Sequence, residues 1–219
     1  KKNHYAAHQK VLDYWKSKTN IVSKNLKKEL KNIPKIVDCF TYFNEKEILE
    51  LRINLLKDYV DEFLIIDANY THSGKSKEFT CKDVINELGL SSEKIKLIEC
   101  DLSNLPPATD YELAFNPNAV TESRETIQRD WICNLLDDYS DETVFIISDC
   151  DEIINPININ FLTDLCRNHK DNIFKIPLVH LEGRADLRAY GLDGNPYPWD
   201  KSMFLCMKNH LQNRSEEHT

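Results

Sequence analysis

Short buried-type β runs that alternate with helix-patterned segments constrain this chain more than any other feature. Ile36–Phe43 is β-branched and aromatic and has strand length, Phe63–Ile66 and Val144–Ile147 are wholly apolar, and Lys94–Glu99 reads as a further strand. Runs without polar alternation suit strands covered on both faces, as in a parallel sheet. Between the first two, Leu49, Ile53, Leu56 and Val60 recur at helical spacing. Asn44 followed by Glu47 makes a capping box that predicts where that helix starts. Asp83–Leu88 predicts a short helix closed by Gly89. Thr121–Leu136 predicts a longer one, with Ile127, Trp131 and Leu135 on one face. Ile159–Arg167 reads as a helix and Ile173–Val179 as a strand. The alternation predicts one α/β domain, a mostly parallel sheet with helices on both faces.

Residues 1–34 are rich in Lys and Asn, weakly amphipathic around Tyr5–Trp15, and read as a helical appendage ending at Pro34. The α/β domain is expected over 35–213. The last six residues, Arg214–Thr219, are what a common sequencing-adapter string encodes. Native sequence is therefore expected to stop at Asn213 and the domain to be incomplete at its C-terminus. Charge narrows the function classes. With 28 Lys+Arg against 36 Asp+Glu the chain carries −8, which argues against a general nucleic-acid binder that must displace phosphate counterions. The seven cysteines include no Cys-x-x-Cys pair and several lie in apolar runs, so reduced thiols and a cytoplasmic protein are expected. The apolar runs are far too short to span a bilayer.

The chemistry concentrates after the Val144–Ile147 strand, in Ser148-Asp149-Cys150-Asp151-Glu152. In open α/β sheets ligands bind at the carboxyl ends of strands. If the chain stays extended, Asp149 and Asp151 project to the same side. Two such carboxylates suit Mg²⁺ or Mn²⁺ whose remaining positions go to phosphate oxygens and water. An acidic turn capping the next helix would have the same sequence.

The segments Asp38–Glu45, Leu49–Arg52, Val60–Phe63, Asn69–Gly74 and Ser148–Ile153, with Arg124-Glu125…Gln128-Arg129, resemble glycosyltransferase family 17 in order and spacing. That family includes the β-1,4-mannosyl-glycoprotein 4-β-N-acetylglucosaminyltransferases. The resemblance implies a GT-A (Rossmann-like) fold, a nucleotide-sugar donor expected to be a UDP-sugar, a divalent metal, a glycan acceptor and inversion at the transferred sugar. It implies that Asp149 approaches the ribose or the metal and that Asp151 ligates the metal directly. Thr41 and Phe43 would seat the nucleobase, Asp67 would lie near the uracil or ribose, and Arg124 would reach the nucleotide. Asp67 departs mildly from the Glu that family members often carry.

Plainer roles stand beside these. Phe43 could be core, Asn44 a helix cap, Glu45 a partner of the helix macrodipole and Arg124 a structural ion-pair member. Arg129, about opposite Ile127 on the helix, reads as a solvated charge. His180, Glu182 and Trp199 are candidates for the acceptor side, and no residue before Asn213 is assigned as the base that inversion requires. The alternatives are a phosphatase-like phosphoryl enzyme, against which Glu152-Ile153 follows the second Asp where Thr is expected, and a non-catalytic nucleotide-sugar-binding module.

Overall fold

The computed structural model describes residues 34–72, 74–90, 93–105, 119–179, 198–199 and 203–211. In chain order these form β1 (Ile36–Tyr42), α1 (Lys46–Leu56), β2 (Glu62–Ala68), α2 (Cys81–Glu87), β3 (Ile95–Cys100), α3 (Ala119–Asp130), β4 (Val144–Asp149) and α4 (Ile159–Asn168). Four short strands follow: β5 (Phe174–Lys175), β6 (Leu178–Val179), β7 (Pro198–Trp199) and β8 (Phe204–Met207). Tight 3₁₀ turns occupy Trp131–Asp138 and Pro156–Asn158.

The main sheet runs β3-β2-β1-β4-β8-β5. Its first four strands are parallel, while β8 lies antiparallel to β4, and β5 antiparallel to β8. This is a mixed, Rossmann-like α/β fold. Residues alternate between two buried layers, as the two-residue period of a strand requires. Phe40, Phe63, Ile65, Val144 and Ile146 pack with Leu49, Ile53 and Leu56 of α1, Ile85 of α2 and Ile159 and Cys166 of α4. On the other face Val37, Cys39, Leu64, Ile66 and Phe145 pack with Ile132 and Leu136 of the turn after α3. Helical segments therefore cover both faces, as the uninterrupted apolar runs predict.

Several local expectations shift. The expected Thr121–Leu136 helix is α3 followed by a 3₁₀ stretch, which keeps Ile132 and Leu136 on the sheet. The expected strand Ile173–Val179 divides into β5 and β6 around Ile176-Pro177, since proline has no N–H to donate to a ladder. The capping box does not form. The residue before α1 is Glu45, with no side-chain cap. Asn44 instead takes a left-handed φ of 66°, and its Oδ1 accepts a hydrogen bond from Thr80 Oγ1 at 2.7 Å. Asparagine tolerates that conformation better than most residues because its short amide bonds locally.

None of the seven cysteines forms a disulfide. Burial pushes the Cys100 and Cys150 thiols up to about 12, which keeps them protonated and unreactive at neutral pH. Among the described residues no helix is long and apolar enough to cross a membrane. The expected appendage before Pro34, the tail 214–219, His180 and Glu182 lie outside the described residues. Trp199 lies in β7.

Candidate functional site

The strand order reverses between β1 and β4: β2 and β3 extend to one side of β1, and β4 lies on the other. At such a switch point the loops that follow the two strands diverge and leave a crevice at their carboxyl ends. Thr41 near the end of β1 is paired in register with Asp149, the last residue of β4. Thr41 Oγ1 donates to Asp149 Oδ1 at 3.1 Å. The acidic motif thus sits where an open α/β sheet places its ligand.

A single buried side chain shapes the turn that carries this motif. Arg52 of α1 is fully buried and forms a two-pronged pair with Asp38 of β1, Nε to Oδ2 at 2.8 Å and Nη2 to Oδ1 at 2.7 Å. Its Nη2 also donates to Ser148 Oγ at 2.7 Å. Its Nη1 donates to the carbonyls of Asp149 (2.7 Å), Cys150 (3.1 Å) and Glu152 (3.0 Å). The turn closes with Glu152 N–H donating to the Asp149 carbonyl at 3.1 Å, while Glu152 Oε2 accepts from Asp149 N–H at 3.0 Å. Cys150 turns into the core and Asp151 is left exposed at the tip. The guanidinium lies 4.3 Å from the Phe40 ring centroid, a cation–π contact in a dry setting. Neither Asp38 nor Arg52 was assigned a role from the sequence. The available signal was a charge inside the apolar stripe of α1 and another inside β1.

Arg129 requires a correction. It is no solvated charge, since its Nη2 donates to Asp149 Oδ2 at 2.6 Å and Oδ1 at 2.8 Å. Its Nη1 pairs with Glu125 one turn earlier at 2.5 Å. The helix wheel misled because the buried arc of α3 is partly polar. Arg124 and Gln128 are buried, with Gln128 Nε2 donating to the Ile66 carbonyl at 2.8 Å. With the arc centred on Gln128, Arg129 lies on the flank that faces the end of β4.

The other expected contacts divide. Phe43 lies outside the core at 45% exposure, just past β1. Its N–H donates to Glu45 Oε2 at 2.7 Å. The Glu45 carboxyl is held above the usual range chiefly by burial, with smaller contributions from the negative charges of Asp151 and Asp149. Asp67 is fully buried and both its oxygens are engaged: Oδ1 accepts from Lys77 Nζ at 2.6 Å, and Oδ2 from the N–H groups of Thr80 (2.9 Å) and Cys81 (3.0 Å). The carboxylate therefore anchors the start of α2, and Lys77 is the group that stands toward Phe43, 5.9 Å from its ring centroid. Among the described residues Arg124, 5% exposed, donates only to the Leu105 carbonyl at 3.3 Å, and its buried Nε finds no partner. No carboxylate of the described residues pairs with it. His72 lies between Gln128, at 2.9 Å, and Glu125, at 3.9 Å.

These donors suit a divalent cation in one way and not in another. Among the described residues no three His, Cys, Asp or Glu side chains are gathered as a metal cage. Asp151 is an exposed carboxylate to which no described residue donates a hydrogen bond, the hard oxygen donor that Mg²⁺ or Mn²⁺ takes together with phosphate and water. Asp149 has both oxygens on Arg129.

The sequence model described as Glycosyltransferase family 17 matches residues 3–203. No curated protein matches the chain. Among solved structures the chain is similar to the crystal structure of 4-diphosphocytidyl-2C-methyl-D-erythritol synthase. That likeness has 10% identity and a TM-score of 0.45, over 85% of this chain and 81% of that one.

Proposed function

We propose, since the chain belongs to glycosyltransferase family 17, that it moves a sugar, N-acetylglucosamine, from a UDP-linked donor to a glycan acceptor with inversion, assisted by Mn²⁺ or Mg²⁺. The observation that carries this reading is the exposed Asp151 carboxylate beside the Arg129-bound Asp149 at the β1/β4 switch point. Asp151 would hold the metal, which when bound neutralises the diphosphate leaving group so that the sugar–phosphate bond breaks near neutral pH. The exposed Phe43 ring offers a stacking face for the base. Thr41 fixes the Asp149 carboxylate, and Arg52 fixes the turn that presents Asp151.

Arg124 supports the same reading from a second side. A guanidinium that is buried with no carboxylate partner among the described residues is costly, and an anionic ligand would offset that cost. Arg124→Ala is expected to weaken UDP binding by about 1.5–3 kcal/mol, the range for one hydrogen bond to a charged group. A fall in melting temperature with unchanged UDP affinity would make Arg124 a structural residue.

Calorimetric titration with UDP, with and without Mn²⁺, tests the function directly. Binding is expected with Mn²⁺ and is expected to fall away in chelator. Affinity that is the same in both conditions, or absent in both, would overturn the proposal.

A further inference from the structure

The two acidic residues of the motif are not equivalent. The Asp149 carboxylate receives the Arg129 guanidinium on both oxygens, at 2.6 and 2.8 Å, and the Thr41 hydroxyl on Oδ1. Arg129 is itself held from behind by Glu125, at 2.5 Å. A divalent cation bonded to Asp149 would stand next to a fixed positive charge in a half-buried setting, where repulsion is screened less than in water. Asp151, two residues on, is exposed and accepts no hydrogen bond from the described residues.

We propose that Arg129 occupies Asp149 as its resident counter-cation, so the free protein offers a metal one carboxylate, and metal binds firmly only together with a nucleotide diphosphate. This rests on the reading of Asp151 as the metal ligand. A single carboxylate leaves a hexahydrated cation most of its water and holds it weakly. Diphosphate oxygens supply the missing hard donors, so the two ligands enter as a unit. Arg129 is then a positioning residue, keeping Asp149 directed at Thr41 and setting the metal's dependence on nucleotide. Asp149 is correspondingly relieved of direct ligation.

Manganese EPR on the full chain reads this without turnover, since free aquated Mn²⁺ is counted directly. Mn²⁺ alone is expected to bind the wild-type protein weakly. Arg129→Gln, which frees a second carboxylate beside Asp151, is expected to bind Mn²⁺ alone about tenfold more tightly or better. That gain should vanish in Arg129→Gln/Asp149→Asn. Arg129→Lys keeps the charge but not the paired fork, so it should fall between, and it preserves the comparison if the glutamine variant does not fold. The proposal is overturned if wild type binds Mn²⁺ alone as tightly as Arg129→Gln. It is equally overturned if Asp149→Asn in the wild-type background loses as much Mn²⁺ affinity as Asp151→Asn. Because this arm contains no nucleotide, its failure with metal-dependent UDP binding intact removes the role of Arg129 alone. A gain in Arg129→Gln in a protein that never binds UDP removes the proposed function and leaves the counter-cation in place.

Discussion

Arg52→Met is expected to lower the unfolding free energy by about 3–5 kcal/mol, the range for removing one partner of a buried ion pair. Arg52 and Asp38 are both fully buried. Without the guanidinium, the Asp38 carboxylate is left charged in a dry core, and the carbonyls of Asp149, Cys150 and Glu152 lose a shared donor. Methionine fills similar space, so the loss reports electrostatics and hydrogen bonding more than a cavity. Against a total stability of about 5–15 kcal/mol, such a loss leaves many domains only marginally folded at 37 °C. Urea denaturation measures it, and Arg52→Met/Asp38→Leu provides the control. The double variant should recover part of the loss, because replacing a whole buried pair by apolar side chains is often close to neutral. A loss below about 1 kcal/mol, typical of a surface position, would contradict the account of the turn. So would a double variant that is no more stable than the single one.

Asp151→Asn is expected to remove the metal-dependent part of UDP binding completely while changing stability by no more than about 0.5 kcal/mol. Its carboxylate is exposed and contributes nothing to the core. Asparagine matches it in size but offers Mn²⁺ a neutral oxygen in place of a charged one. Stability should if anything rise slightly, because the negative charge of Asp151 adds, after burial, to what raises the Glu45 carboxyl above its usual range, and removing it relieves that repulsion. Calorimetry in excess Mn²⁺ checks the binding and a thermal melt checks the fold. An unchanged UDP affinity in Mn²⁺ would mean that Asp151 is not the ligand. Comparison with Arg52→Met separates the residue that would bind metal from the residue that builds its loop, since only the latter should unfold early.

The strands, their double burial and the position of the acidic motif were legible because each depends on short-range periodicity. A two-residue alternation places Phe40 and Cys39 on opposite layers wherever the strand lies, and a 3.6-residue stripe turns Leu49, Ile53 and Leu56 to one side. An acidic pair after a wholly apolar strand must emerge at that strand's carboxyl end, because a strand buried on both faces has no place for two exposed carboxylates. What stayed illegible depends on partners far apart in sequence. Strand β8 is only four residues long and joins β4 antiparallel from nearly sixty positions downstream, so no local pattern announces the pairing. The polar residues show the same division. Arg52 carries no assignable role in the sequence until Asp38 and the turn after β4 are brought around it. Arg129 reads as solvated until Arg124 and Gln128 are found in the buried arc of α3. That Asp67 also holds Lys77 and the start of α2 with both its oxygens cannot be read from its own neighbours in sequence. An apolar side chain needs only to leave water, which its own neighbours in sequence predict. A buried charge needs a particular partner at hydrogen-bond distance, and only the tertiary structure supplies one.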